Sequence, residues 1–341
     1  MANQLLEIVF LISGIKIAAM TNTTARPSVP DPEDAGCFIT VAICTRNRAA
    51  LLVKAIRSVL PQLTPDTELL VVDNASTDDT LQVCEQLAGE TYAVAYLLEP
   101  RLGLSVALNT SLSKARGRYV LFLDDDAMAE AGWLAAYRSF LLNPPAPGIA
   151  VVGGAVIPFY DQPPPPWITP RDTLFDYGSQ PLRLAGGGLS GCNSAYCREK
   201  VIAVGLFEEK LGYQGSSLIP REETELQDRL IKAGWDCWWL PGAAVQHFVA
   251  TERFNIRSMA NSAFNSGRAA AIHRLKIATS VRRRLALRMG RLFAAPFHIV
   301  INLLPALFLF SLGRQKPAVR ALCRVTRAAG WAWQLLKPLA E

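Results

Sequence analysis

No CxxC pair occurs in the 341 residues, and the seven cysteines (Cys37, Cys44, Cys84, Cys192, Cys197, Cys237 and Cys323) are scattered. An odd, dispersed set argues against a disulfide framework or a thiolate zinc site and suits a reducing compartment. Neither GxGxxG nor GxxxxGK[ST] follows any apolar run, which removes the simplest dinucleotide and P-loop readings. With three histidines in the chain, no Ser-His-Asp arrangement is evident. Internal repeats are missing, and the one low-complexity piece is Pro163-Pro164-Pro165-Pro166. Acidic residues almost vanish from the C-terminal part: residues 251–341 carry 16 Lys+Arg against 2 Asp+Glu, whereas residues 1–250 carry 19 against 27.

What is present fits a globular chain with a sizeable core, since 50% of residues are apolar and 19% charged. The length allows two average domains or one large α/β domain with an appendage. From Phe38 the pattern is regular. Strands are expected at Phe38–Cys44, Glu68–Val72, Val94–Leu98 and Tyr119–Leu123, and helices at Ala49–Leu60, Thr80–Leu87, Leu104–Lys114 and Glu130–Leu142. This alternation predicts βαβ crossovers and a mostly parallel sheet flanked by helices. Ligands of such sheets bind beyond the carboxyl ends of the strands.

Those ends carry chemistry. Asp124-Asp125-Asp126 follows the apolar run Tyr119–Leu123. Three adjacent carboxylates repel one another unless a cation sits among them, and their hard oxygens suit Mg²⁺ or Mn²⁺. A solvated acidic turn is the plainer reading of the triplet alone. After the first strand, Thr45-Arg46-Asn47-Arg48 precedes a helix N-terminus, a setting for phosphate. After the second comes Asp73-Asn74-Ala75-Ser76-Thr77-Asp78-Asp79, where Thr77 or Asp78 can cap the next helix and Asp73 is left free to accept from a base or ribose.

The order and spacing of these motifs, with Gly103-Leu104-Ser105, Ala107, Asn109, Gly117-Arg118-Tyr119, Trp133-Leu134, Gly191-Cys192-Asn193-Ser194-Ala195, Gly205-Leu206-Phe207-Glu208-Glu209, Glu222-Glu223-Thr224-Glu225-Leu226, Arg229, Gly234-Trp235, Pro241 and His247, resemble the family 2 glycosyltransferases of GT-A fold. The resemblance covers about Phe38 to Val249. It implies inverting transfer of a sugar from a nucleotide-diphosphate donor. It implies that Asp73 meets the nucleobase, Asp125 the donor ribose, and Asp126 a Mg²⁺ or Mn²⁺ ion, with His247 near the diphosphate and metal. The family's base is the second acid of a Glu-Asp pair; here Glu223 stands there, one methylene longer. Candidate donor-binding residues are accordingly Thr45, Arg48, Asp73, Asn74, Asn109, Asp124, Asp125 and Asn193; metal ligands Asp126 and His247; base Glu223; acceptor-side residues Trp167 and Glu222. Glu225 and Asp228 are expected to serve a helix, with Leu226, Leu230 and Ile231 on its buried face. Trp235, Trp238 and Trp239 are expected in the core, and Gly186-Gly187-Gly188 as a mobile lid. A sugar nucleotidyltransferase and a non-catalytic, membrane-docked nucleotide-sugar-binding subunit are the competing readings.

Three regions are expected: an apolar or flexible lead-in at 1–36, with Met1 or Met20 as the start; the GT-A domain at 37–250; and a basic, partly apolar helical region at 251–341. Leu292–Leu312 contains no Lys, Arg, Asp or Glu and is long enough to span a bilayer. Basic residues flank it on both sides, and Pro296 and Pro305 interrupt it. A straight span satisfies the cytoplasmic preference of only one flank, whereas a re-entrant or surface-lying hairpin satisfies both. The expected partners are therefore a nucleotide-sugar donor, a glycan or lipid-linked acceptor and anionic lipid at the cytoplasmic face of the cell membrane, with no nucleic acid.

Overall fold

The computed structural model describes residues 39–90, 94–168, 175–214, 217–277 and 280–337. The lead-in, both candidate starts and Phe38 lie outside these residues. The first half follows the alternating pattern: β1 (Ile39–Thr45), α1 (Ala49–Val59), β2 (Thr67–Asp73), α2 (Thr80–Glu90), β3 (Val94–Leu98), α3 (Leu104–Lys114) and β4 (Tyr119–Leu123). The four strands pair in parallel in the order β3-β2-β1-β4. β4 is buried along its whole length, which is why it reads as an unbroken apolar run. α1 turns Leu52, Ala55, Ile56 and Val59 inward at helical spacing and gives way to a 3₁₀ turn containing Pro61.

The second half is mixed. β5 (Ala127–Ala129), α4 (Trp133–Leu142), β6 (Ile149–Phe159), β7 (Leu182–Leu184), β8 (Asn193–Cys197), α5 (Arg198–Val204), β9 (Gly212–Gln214), β10 (Ser217–Ile219), α6 (Glu222–Lys232) and β11 (Asp236–Phe248) follow. β8 enters antiparallel between β4 and β6, β11 runs parallel to β6, and β5 and β7 pair antiparallel with β11. The helix expected from Glu130 begins at Trp133, because Gly132 takes a left-handed φ of 80° and breaks the chain direction there. Helices cover both faces. Ile43, Leu52, Ile56, Leu69, Leu121 and Trp133 fill one core, and Val120, Tyr196, Leu226, Leu230 and Trp239 the other. Each fully buried aliphatic contributes about 1.5–3 kcal/mol.

The basic region forms three helices, α7 (Ile256–Ile277), α8 (Val281–Ser311) and α9 (Gln315–Leu336). Asn255 Oδ1 accepts from Ser258 N and caps α7. α7 and α9 run parallel with touching backbones: a Cβ on Gly267 would meet Arg327 O at 2.1 Å, and one on Gly330 would meet Phe264 O at 1.9 Å. α8 returns between them in direction, with Arg324 Nε donating to Asn302 Oδ1 and Arg288 Nη2 to Lys337 O. α8 remains a continuous helix through Pro296 and Pro305. Ala295 and Ala306 face inward, while Leu285, Met289, Phe293, Phe297, Ile301, Leu304, Phe308 and Leu312 are exposed at three- and four-residue spacing. That spacing makes one continuous apolar stripe along the helix. Among the described residues α8 is the one helix long and apolar enough to cross a membrane by length and composition.

Candidate active site

The triplet occupies the turn between β4 and β5, where Ala127 N donates to Asp124 O at 3.0 Å. β5 pairs with β11, setting His247 opposite Ala127, and Phe248 N donates to Asp126 O at 2.8 Å. Two segments far apart in sequence are thereby held at one sheet edge. Asp125 is fixed from the β1 side: Thr45 Oγ1 donates to its Oδ2 at 2.8 Å and Arg48 Nη1 to its Oδ1 at 2.9 Å. The same Arg48 Nη1 donates to Asp126 Oδ2 at 2.8 Å. His247 Nε2 lies 3.1 Å from Asp126 Oδ1 and 3.9 Å from Asp124 Oδ2. Arg253 Nη2 stands 3.9 Å from Asp126 Oδ2.

Electrostatics separate the three carboxylates. Burial opposes the charge of Asp126, but the hydrogen bond and charge of His247, with Arg48 and Arg253, hold its carboxyl below the usual range. Burial raises Asp125 against the pull of Arg48. Desolvation by the cleft walls and the charge of Asp126 push Asp124 up to about 7; its side chain keeps 45% of its surface open to the cleft, so solvent moderates both effects. Burial disfavours the His247 imidazolium, yet Asp126 and Asp124 lift it above its ordinary value.

A divalent cation fits this corner. Asp126 Oδ1 is buried without a well-aligned hydrogen-bond donor, and Asp124 and His247 offer ligand atoms within one cluster. Two carboxylates and an imidazole suit Mn²⁺ or Mg²⁺. Cys192 Sγ belongs to the same cluster, but burial pushes its thiol well up and keeps it a neutral, soft neighbour.

Two compartments meet at Asp124. One, of about 590 Å³, is lined by Thr45, Arg46, Arg48, Asn74, Asp125 and Tyr213. The other, of about 350 Å³, is lined by Glu222, Glu223, His247, Cys192, Gly191 and Tyr213. Glu223 enters from the first turn of α6, which starts after Arg221 in a left-handed conformation (φ 98°). Burial and the charge of Glu223 raise Glu222 well above a normal carboxyl. Glu223 is raised by burial too, drawn back first by its own backbone N–H and then by its contact with Glu222. Of the two, Glu222 is the more strongly raised, and Glu223 lines the compartment half-buried beside it.

Other sequence expectations land elsewhere. Asn193 is fully buried, and its side chain is spent internally. Its Oδ1 accepts from Trp133 Nε1 and Tyr137 Oη, and its Nδ2 donates to Ala155 O and Ala243 O. It ties α4 to the sheet and has no capacity left for a donor sugar. Asn109 likewise exchanges two hydrogen bonds with the backbone of Phe207. Asn74 lines the larger compartment but uses its amide to fold residues 99–103 against it. Asp73 stands behind that wall, accepting from Ser76 N and Tyr96 Oη. Trp167 is half-buried and lines neither compartment. Gly186–Gly188 is no free lid: Asp228 Oδ1 accepts from Gly187 N and Gln227 Oε1 from Gly188 N. Asp78, rather than Thr77, caps α2, and its other oxygen accepts from Ala49 N at the start of α1. Glu225 pairs with Arg229 within α6, and Trp239 is buried. Arg253, Tyr213 and Cys192 join the site without having been singled out for it; Arg253 is the first basic residue after His247, a signal masked by the charge of the whole tail.

Residues 40–205 match the model of glycosyl transferase family 2. A GalNAc(5)-diNAcBac-PP-undecaprenol beta-1,3-glucosyltransferase of Campylobacter jejuni is 38% identical over 90 residues, 26% of this chain and 29% of that protein. A putative teichuronic acid biosynthesis glycosyltransferase of Bacillus subtilis is 38% identical over 91 residues, 26% of this chain and 36% of that protein. These matches thus span well under half of the relatives' length. A mannosyltransferase from Pyrobaculum calidifontis, solved with GDP-Man and Mn²⁺, superposes with a TM-score of 0.58 at 19% identity over 91% of each chain. That likeness extends the fold agreement beyond the family segment, into the C-terminal helices. Residues 40–205 are thus similar to glycosyl transferase family 2, in a chain of GT-A fold.

Proposed function

We propose that this protein transfers a sugar, with inversion, from a nucleotide-diphosphate donor to a hydroxyl of a glycan or lipid-linked acceptor in cell-surface polysaccharide synthesis. One observation carries the reading: Glu223 lines, with Asp124 and His247, the compartment that adjoins the Arg46–Arg48 cleft. The nucleotide occupies the larger compartment, its diphosphate between Arg48 and the triplet. The sugar crosses at Asp124 into the smaller one. Glu223 accepts the proton of the attacking hydroxyl, and desolvation makes it a stronger base than a free carboxylate. Glu222 packs beside it in the same compartment and orients it. Asp124, Asp126 and His247 would hold Mn²⁺ or Mg²⁺, which would supply positive charge for the departing diphosphate. Inversion requires one base and no covalent intermediate.

The three-helix region docks the enzyme on the cytoplasmic leaflet. The undecaprenol-linked substrate in the name of the Campylobacter relative supports a lipid-borne acceptor. The apolar stripe of α8 supports docking in the plane of the surface rather than a span, because α9 lies along α8 and would carry Arg320, Arg324 and Arg327 into the hydrocarbon.

A donor-hydrolysis and transfer assay over a panel of nucleotide sugars with Mn²⁺ tests the activity. Release of nucleoside diphosphate is expected. Pyrophosphate release from a nucleoside triphosphate and a sugar phosphate would assign a nucleotidyltransferase. Tight donor binding without turnover under any acceptor would assign a binding subunit.

A further inference from the structure

We propose that the groove between α8 and α9 binds the phosphate of an anionic membrane phospholipid; the proposal rests on the surface docking argued above. The groove has a volume of about 240 Å³ and is lined by Arg291, His298, Asn302, Arg324, Arg327 and Trp331. That is room for a phosphoryl group and the few atoms esterified to it.

Three guanidinium groups share this groove, and none of the residues lining it is acidic. The only acids in residues 251–341 are Glu252 and Glu341. Among the described residues, no ion pair involves Arg291, Arg324 or Arg327. Like charges gathered in one place repel, and an anion among them reverses the sign. Guanidinium forks match phosphate oxygens two at a time.

The groove is also prearranged. Arg324 Nε donates to Asn302 Oδ1 at 2.6 Å, and Asn302 Nδ2 donates to His298 O at 2.8 Å. The guanidinium of Arg291 lies 5.3 Å from the centre of the Trp331 ring, and that of Arg274 lies 5.6 Å from the same ring. Both arrangements hold cations in place without neutralising them.

Position identifies the source of the phosphate. Arg291, His298 and Asn302 recur at i, i+7 and i+11 on α8, while Phe297, Ile301 and Leu304 belong to the exposed stripe. Adjacent residues are about 100° apart around a helix. With the stripe in the acyl layer, the groove opens to its side, at the depth of the headgroups. A nucleic-acid site has no use for such a stripe.

The test is vesicle flotation of the full chain, with phosphatidylcholine alone and with phosphatidylcholine plus phosphatidylglycerol. The variant R291K/R324K/R327K keeps every charge but loses the forks; R257K/R282K/R314K makes the same exchange elsewhere in the tail. The groove variant is expected to lose about tenfold in affinity for the anionic vesicles, while the other keeps wild-type binding. Equal binding by both variants would reduce the effect to diffuse charge and overturn the proposal. Equal binding to neutral and anionic vesicles would overturn it as well. Displacement by inorganic phosphate alone would make it a free-phosphate site, and groove-dependent binding of a single-stranded oligonucleotide would make it a nucleic-acid site. Donor hydrolysis in detergent is expected to be unchanged in both variants. Should no donor be hydrolysed by any form of the protein, the assigned activity fails while the vesicle comparison still stands.

Discussion

His247 Nε2 lies 3.1 Å from Asp126 Oδ1, and the pairing of β5 with β11 is what brings them together. The carboxylate is held charged by its neighbours and is ready for a cation. Asp126→Ala is expected to abolish transfer and the thermal shift given by Mn²⁺ while the fold survives. Turnover near wild type with metal present would remove Asp126 from the metal site.

Glu222 and Glu223 should respond differently to the same change. Burial raises Glu222 more strongly than Glu223, so Glu222→Gln, which keeps its shape and a neutral side chain, should leave most activity. Glu223→Gln removes the base and should lower turnover by roughly 10²-fold with donor affinity kept. The reverse pattern in steady-state kinetics would exchange the two roles.

Asp124 gives the metal-free protein a pH signature. Its folded value near 7 exceeds the ordinary 3.8, so between those values the folded state holds a proton that the unfolded state has released. Stability should then fall as pH rises through that window. Asp124→Asn should flatten the decline, melting with the wild type at pH 4 and above it at pH 8. Parallel melting profiles in chelator would contradict the shift. Mn²⁺ should restore the wild type at high pH by taking the place of the proton.

Asn193→Ala should behave as a folding defect. It strands Trp133 Nε1 and removes the side-chain bonds to two backbone carbonyls, while Tyr137 Oη keeps its bond to the backbone of residue 193, a loss of about 3 kcal/mol. Urea unfolding should show this, while the Michaelis constant for the donor stays unchanged at low temperature. A raised constant with unaltered stability would return Asn193 to the donor site.

Replacing Phe297, Leu304 and Phe308 by serine should release the protein from vesicles by about tenfold or more per residue. All three are exposed on α8, so far-ultraviolet circular dichroism should not change. Retention on vesicles would show that the stripe is not the contact.

The sequence spoke most clearly where burial is symmetrical. β4 has the bounds expected of it because both its faces are covered and composition alone marks it, and β3 and α3 match their expected bounds as well. The antiparallel insertion of β8 between β4 and β6 was not legible, since it depends on pairing between distant segments. Asn193 and Asn109 could be seen as polar residues at motif positions. What could not be seen is that their hydrogen-bonding capacity is spent inside the fold. Arg253 was hidden by being counted with a basic tail, although the chain returns it to Asp126.

β11 does not run evenly beside β6. Leu240 pairs with Gly154 and Val245 with Val156, so Pro241–Ala244 bow out against Ala155. Gly154 makes room for the bow, because a Cβ there would sit 1.7 Å from Ala243 O. Beyond it the strand resumes with His247 opposite Pro158. Side chains on a strand alternate between faces, so the number of residues in the bow sets the phase in which His247 emerges. Losing or gaining one residue there would turn His247 away from Asp126 with every residue of the active site still present. Catalysis at this edge is thus a matter of counting as much as of chemistry: the segment tolerates a change of letters better than a change of length.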